Sequence, residues 1–167
     1  VISITDGQIF LEASLFNKGI RPAINAGLSV SRVGGSAQIK SMKKTAGPMK
    51  LALAQYRELE SFAQFGSDLD PQTKKALDHG QKSVELLKQP QYSPISVAKQ
   101  VASMYALNKG MLEEINLDDV QKWETEFYAF LDASQSKLLE SIRVGWSDDV
   151  AKGIADAVTD FNNTFSA

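Results

Sequence analysis

The sequence predicts a mainly α-helical protein in which a short strand-containing segment, the remnant of an α/β domain, precedes a bundle of about five to seven helices. Two observations carry this prediction. Short apolar runs and glycine turns fill the chain up to Gly35, whereas apolar residues recur every three or four positions from Pro48 onward. We therefore expect residues 1–40 to belong to the strand-containing domain and residues 41–167 to the bundle.

The first part of the chain shows three strand-like runs. Residues 2–4 and 9–11 are short apolar runs on either side of a turn at Asp6 and Gly7. Residues 28–31 alternate apolar with polar side chains, which is typical of a half-buried strand. The two parts of the chain are expected to join between Gly34 and Gly47.

The second part shows helical spacing interrupted by caps and loops. Pro48 is expected in the first turn of a helix that ends at Gly66, and Asp70 and Ser147 are expected to cap later helices. Helical stretches are predicted at residues 48–65, 71–87, 97–109, 119–131, around 138–142, and 148–165. Aromatic residues recur on two of these helices, where they form either the bundle core or a partner surface; we interpret them as core: Trp123, Phe127, Phe130, Phe161 and Phe165.

Composition excludes several classes of function. The 167 residues carry 18 basic and 20 acidic side chains, a net charge of -2, so nucleic acid is not an expected partner. The absence of cysteine excludes disulfides and thiolate metal sites, and no apolar run reaches membrane-spanning length. Because the chain starts at Val1 within a predicted strand, we expect it to be a piece of a longer protein.

Independent catalysis finds no support in the residues. The single histidine, His79, falls within a predicted helix, and without cysteine or a second histidine no metal site is expected. Adjacent acidic pairs lie beside predicted helix starts, where capping explains them. A serine-hydrolase elbow and a phosphate-binding loop are both absent, and Gly34-Gly35-Ser36 lacks the lysine that such a loop requires. Any phosphate cradle must lie elsewhere.

Residues 19–35 place one cation, Arg32, in a glycine-flanked turn beside the hydroxyls of Ser29 and Ser31. A guanidinium on a rigid support can stabilise the negative charge that develops during phosphoryl transfer, even when it acts on a neighbouring subunit. The alternative is an arginine that pairs with a carboxylate across a domain interface. The residues alone leave both interpretations open.

Several segments together resemble the alpha subunits of F-type rotary ATP synthases. Residues 22–25 and 29–34 resemble the signature segment of the alpha and beta subunits, residues 1–11 the strand that precedes it in alpha, and residues 62–70 a rotor-facing turn. The resemblance extends from Val1 to about Gly110, and a variable helical tail follows. It implies the C-terminal end of a RecA-like nucleotide-binding domain followed by the helical-bundle domain.

The resemblance also implies the function and its residues. The subunit would be a non-catalytic, regulatory part of the enzyme that couples transmembrane ion flow to ATP synthesis from ADP and phosphate. Arg32 would be the arginine finger that reaches the nucleotide on the neighbouring beta subunit, and Ser29, with Ser3 close by, would shape that interface. A trans-acting guanidinium contributes on the order of 3 to 5 powers of ten in rate in other phosphoryl-transfer systems.

A second, non-catalytic nucleotide is implied on the alpha subunit itself, as ATP or ADP with Mg in the full-length protein; this fragment alone is not expected to hold it tightly. Its adenine pocket would comprise Phe16, Arg21, Pro22, Gln89 and Gln91. The aromatic ring and the proline offer flat apolar contact to a purine, and the guanidinium can stack on it. The glutamine amides can donate to and accept from the edge of the base. Without the resemblance, the two glutamines are ordinary polar loop residues.

Partners and location follow from the same resemblance. The partners would be beta subunits in an alternating hexamer, the gamma rotor and other catalytic-sector subunits. The protein would lie on the cytoplasmic face of a bacterial membrane, or on the matrix or stromal side in an organelle, and would meet the membrane only through the complex. Asp68, Leu69 and Asp70 would contact the rotor, although Asp70 also fits a helix cap. The alternative function is a stand-alone helical adaptor that binds proteins and no nucleotide.

Overall fold

The computed structural model describes residues 5–63 and 69–166 and begins with a compact segment of short elements. Strand β1 (Gly7–Gln8) pairs antiparallel with β2 (Val30–Ser31), and Leu11 bridges to Ile24. Helix α1 (Ala13–Asn17) lies between the strands, and helix α2 (Arg32–Ala37) follows β2 directly. Neither short helix was expected, because the Gly34-Gly35 pair in α2 and the five-residue length of α1 give no helical period.

The strand predictions in this segment are only partly confirmed. Residues 9–11 do not form a strand, because Phe10 bonds to a turn: its N–H donates to Ser29 Oγ at 3.0 Å and its carbonyl accepts from the Asn25 N–H at 2.8 Å. Residues 28–31 are strand only at Val30–Ser31, and Leu28 and Val30 are more than half exposed, so the expected burial of this run is wrong. Residues 2–4 lie outside the described part of the chain.

Helix α3 (Lys40–Ala63) is longer than predicted, and Pro48 lies in its interior rather than in its first turn. Gly47 precedes this proline and has no Cβ to collide with the proline ring. The start of the helix was missed because its buried side is polar. Ser41 and Thr45 are almost fully buried, and the Ser41 hydroxyl donates to Ile142 O at 2.7 Å and to Gly145 O at 2.9 Å.

Five further α-helices complete the described bundle. They are α4 (Pro71–Leu86), α5 (Val97–Asn108), α6 (Val120–Ser134), α7 (Ser136–Val144) and α8 (Asp148–Asn162), with a 3-10 turn (Leu117–Asp119) before α6. Asp70 and Ser147 cap α4 and α8 through their side chains, as predicted. Helices α3 and α4 pack closely because Gly80 leaves room for Tyr56, whose ring a Cβ would overlap.

The core of the bundle is aromatic where α6 meets α8. The Trp123 and Phe127 rings are fully buried and stack with centroids 4.8 Å apart, and Phe161 packs against both. The Trp123 indole donates to Asn162 Oδ1 at 2.7 Å, which satisfies its one polar atom. The interpretation of the aromatic residues as core is confirmed for Trp123, Phe127 and Phe161, whereas Phe130 and Phe165 are partly buried and pack against that core. The predicted fold class, a mainly α protein with a helical bundle, is also confirmed.

Candidate functional site

Arg32 stands at the start of α2, where β2 ends. The Ser31 hydroxyl accepts from the Gly34 N–H at 2.8 Å and so fixes the first turn of the helix. The Arg32 backbone N–H donates to Asp6 O at 2.9 Å, which ties the same turn to the strand opposite. The main chain of Arg32 is thus anchored on both sides.

The Arg32 side chain is held much more loosely than its backbone. It is 71% exposed, its Nη2 donates to Thr5 O at 3.3 Å, and it lies 3.9 Å from Asp6 Oδ1. An exposed ion pair of this length contributes little free energy. The guanidinium is therefore free to exchange Asp6 for another anion at small cost.

Ser29 has a structural role in the described fold. Its hydroxyl accepts from the Phe10 N–H and donates to Asn25 O at 2.6 Å, and its own N–H donates to the same oxygen at 3.0 Å. These bonds hold the turn that leads to β2 and Arg32. Ser3, predicted to lie nearby, falls outside the described residues.

Asn25 organises this turn, a role that its sequence context does not indicate. Its side chain is almost fully buried, and its Oδ1 accepts from the backbone N–H groups of Gly27 and Leu28, each at 3.0 Å. The same oxygen accepts from Arg57 on α3, while its Nδ2 donates to Glu12. The only local signal was an asparagine two residues before a glycine, which is common in ordinary turns.

All five residues predicted to form the adenine pocket line one open cleft of about 690 Å³ between α1 and the loop that follows α4. The Arg21 guanidinium lies over the Phe16 ring, 4.4 Å from its centroid. The backbone N–H of Gln89 donates to Arg21 O at 2.9 Å, so residues 68 positions apart in the sequence meet directly. Pro22 and Gln91 complete the walls, with the Arg21-Pro22 peptide bond in the cis form.

The chemistry of this cleft suits a flat aromatic ligand with polar edges. Phe16 and Pro22 offer apolar faces, and the Arg21 guanidinium is a plane on which a base can stack. The Gln89 side-chain amide donates to Ser93 O at 2.7 Å, which orients its carbonyl oxygen as the remaining acceptor. A purine base fits this donor and acceptor set.

The turn predicted to contact a rotor is only partly described. Asp68 lies outside the described residues, and Leu69 is half-buried. Asp70 caps α4: its Oδ1 accepts from the N–H groups of Gln72 and Thr73, and its Oδ2 from the Thr73 hydroxyl at 2.5 Å. The hydrogen bond from the Thr73 side chain is the largest cause of a pKa of Asp70 below its usual value.

Other titratable groups form no metal centre in the described part of the chain. No group of three or more His, Asp or Glu side chains in residues 5–63 and 69–166 is arranged to hold a metal ion. His79 lies half-buried on α4 at a cleft of about 470 Å³, and burial lowers its pKa. Among the described helices, none has the length and apolar character needed to cross a membrane.

Comparison with known proteins identifies the class to which this fold belongs. Residues 38–161 match the family described as "ATP synthase alpha/beta chain, C terminal domain", and the chain belongs to this family. The match is with the alpha type of chain: ATP synthase subunit alpha of Chromohalobacter salexigens is 53% identical over 166 residues, which cover 98% of this chain. The sequence therefore corresponds to a C-terminal part of an alpha subunit, and it spans 32% of the length of that relative.

Proposed function

We propose that the protein acts within subunit alpha of a rotary ATP synthase and lends Arg32 to the catalytic nucleotide site of a neighbouring beta subunit. The complex would couple transmembrane ion flow to ATP synthesis, with alpha, beta and gamma subunits assembled on the cytoplasmic face of a bacterial membrane. The observation that carries the proposal is the combination of an anchored backbone and a loosely paired, exposed guanidinium at Arg32. Such a group can reach a phosphate on another subunit without rearranging its own fold.

Substitution of Arg32 in the assembled alpha-beta-gamma complex tests this role. For Arg32→Ala we expect ATP hydrolysis to fall by about a thousandfold with assembly and nucleotide binding retained. Arg32→Lys should fail to restore the rate, because an ammonium lacks the planar fork of the guanidinium. The matched control is Arg143→Ala, which removes an exposed arginine paired with Glu140 on α7. Equal turnover in the Arg32 and Arg143 variants would reduce Arg32 to a surface ion pair.

The cleft at Phe16 and Gln89 is proposed to hold the purine of a second, non-catalytic nucleotide, bound as ATP or ADP with Mg in the full-length subunit. The stacked Phe16–Arg21 pair and the amide of Gln89 support this assignment. Because stacking of a base on an aromatic ring contributes about 1–3 kcal/mol, Phe16→Ala should raise the Kd for ATP at this site by about fivefold or more.

The control for the purine cleft is Tyr92→Asn. Tyr92 is 92% exposed beside Gln91, and it has a φ of 62° that asparagine tolerates. Binding of ATP would be followed in the alpha subunit with a fluorescent adenine analogue. An unchanged Kd in Phe16→Ala, or an equal loss in Tyr92→Asn, would contradict the cleft as the purine site.

Residues 67–70 are proposed to face the rotor. Asp70 is already committed to capping α4, so we assign rotor coupling to Asp68 and Leu69. Asp68→Ala should therefore lower torque without lowering the melting temperature, whereas Asp70→Ala should lower the melting temperature first. A stability loss in Asp68→Ala with normal torque would contradict this division.

A further inference from the structure

Glu124 is a carboxylic acid on the buried side of α6, and the functional assignments above do not use it. Glu124 as a whole residue is only 6% exposed. Its Oε1 accepts from the Tyr128 hydroxyl at 2.5 Å, and the Tyr128 oxygen lies 2.9 Å from Ser103 Oγ on α5. Three polar side chains from two helices thus form one cluster in an otherwise apolar interior.

The cluster opens into a small cavity of about 80 Å³ whose outer wall is the loop after α4. Four residues of this loop line the cavity together with Glu124: Leu87, Lys88, Gln89 and Ile95. This loop also carries the backbone N–H of Gln89 that binds Arg21 O. Gln89 therefore lines both this cavity and the cleft proposed to hold the purine.

The cations around Glu124 are already paired with other carboxylates. In the loop after α4, Lys88 lines the cavity but binds Glu85 of α4 at 2.5 Å. From α5, Lys99 lies over the Tyr128 ring but binds Asp132 of α6 at 2.6 Å. Burial raises the pKa of Glu124 to about 7, and the hydrogen bond from Tyr128 opposes that shift only in part.

We propose that Glu124 is a proton-operated anchor for residues 87–95: the protonated acid lets this loop close over the cavity, and the ionised acid loosens it. A buried carboxylate without a cation has to be hydrated or paired. The cavity has room for a few water molecules, and those that hydrate the ionised carboxylate would displace residues 87–95, because the other walls are packed helices. Lys88 is held away from Glu124 by its ion pair with Glu85.

Side-chain NMR of protein labelled at glutamate and glutamine tests the anchor directly. We expect the Glu124 carboxyl carbon to titrate with a midpoint of about pH 7 and the Gln89 side-chain amide to shift with the same midpoint. In Glu124→Gln, the Gln89 amide should keep its low-pH position from pH 5.5 to 8.5. Neither measurement requires nucleotide, so the anchor can be tested even if the purine assignment fails.

The matched control is Glu126→Gln, which removes an exposed carboxyl from the same helix. It should leave the Gln89 titration unchanged. A Glu124 midpoint near the usual glutamate value, or a Gln89 amide that ignores the Glu124 midpoint, would overturn the proposal. The titration of the unsubstituted protein decides the matter even if Glu124→Gln folds poorly.

Discussion

Lys82 should stabilise the fold mainly by capping backbone carbonyls rather than through its ion pair. Its side chain is 5% exposed, and its ammonium contacts Leu112 O at 3.1 Å, Glu113 O at 3.0 Å and Asp78 Oδ2 at 2.8 Å. The two carbonyls belong to the turn between α5 and α6. Asp78 is half exposed and can bond to water when the lysine is gone.

The expected cost of Lys82→Met follows from these contacts. Methionine retains the aliphatic stem, so the loss is confined to the ammonium and its bonds. Each buried carbonyl left without a donor costs about 1–3 kcal/mol, and one of the two is only partly buried, so we expect a decrease of about 3 kcal/mol in the free energy of unfolding. Asp78→Asn should cost less than Lys82→Met, because an amide oxygen at the half-exposed position 78 can still accept from the Lys82 ammonium.

Urea unfolding followed by circular dichroism measures both changes. Lys74→Met is the control, since Lys74 is an exposed lysine on the same helix, and its loss should be close to zero. Should Asp78→Asn destabilise the protein as much as Lys82→Met, the ion pair and not the carbonyl cap would dominate. A loss below about 1 kcal/mol in Lys82→Met would refute the reasoning altogether.

The further predictions concern two titratable groups, Glu124 and Asp70. Because the pKa of Glu124 is raised to about 7, protonation of this residue favours the folded state. Its stabilising contribution is complete below about pH 4.5 and is lost as the pH rises through about 7. Between those limits the free energy of unfolding should fall by up to about 3 kcal/mol, and Glu124→Gln should remove that fall. An unchanged pH dependence in that variant would contradict this. Asp70→Ala should reduce hydrogen-exchange protection of the Gln72 and Thr73 amides, while Asp160→Ala, at an exposed acid of α8, should not. Because the pKa of Asp70 is lowered, its contribution is present above the ordinary pKa of aspartate and should disappear as the pH falls through the folded value.

Helix starts were the most predictable part of the fold, because their chemistry is local. The side chains of Asp70 and Ser147 accept hydrogen bonds from backbone N–H groups within three residues of the cap. Pro71 at the first helical position strengthens the prediction at Asp70. The start of α3 was not predictable in this way. Its buried Ser41 bonds to residues about a hundred positions further on, and a polar residue at such a position is indistinguishable in the sequence from an exposed one.

The cleft could be predicted only in part. The residue types at Phe16, Arg21 and Gln89 suggest recognition of a base once the family is suspected. No local sequence pattern, however, predicts that the loop after α4 contacts Arg21. That contact is a single backbone hydrogen bond across the fold. The predicted strand at residues 9–11 is wrong because its backbone groups bond elsewhere. The N–H and carbonyl of Phe10 bond to the turn at Asn25 and Ser29 instead of to a neighbouring strand.

Asn25 connects the parts of the molecule to which separate functions are assigned. It binds the Ser29 turn that leads to Arg32, and it accepts a hydrogen bond from Arg57 of α3. In the sequence, helix α3 precedes the turn proposed to face the rotor. The arginine proposed to meet the nucleotide is therefore tied through two side chains to the helix that would sense rotation. A displacement of α3 along its axis would act on the turn that aims Arg32 both through Arg57 and Asn25 and through residues 38–39, which join α2 to α3.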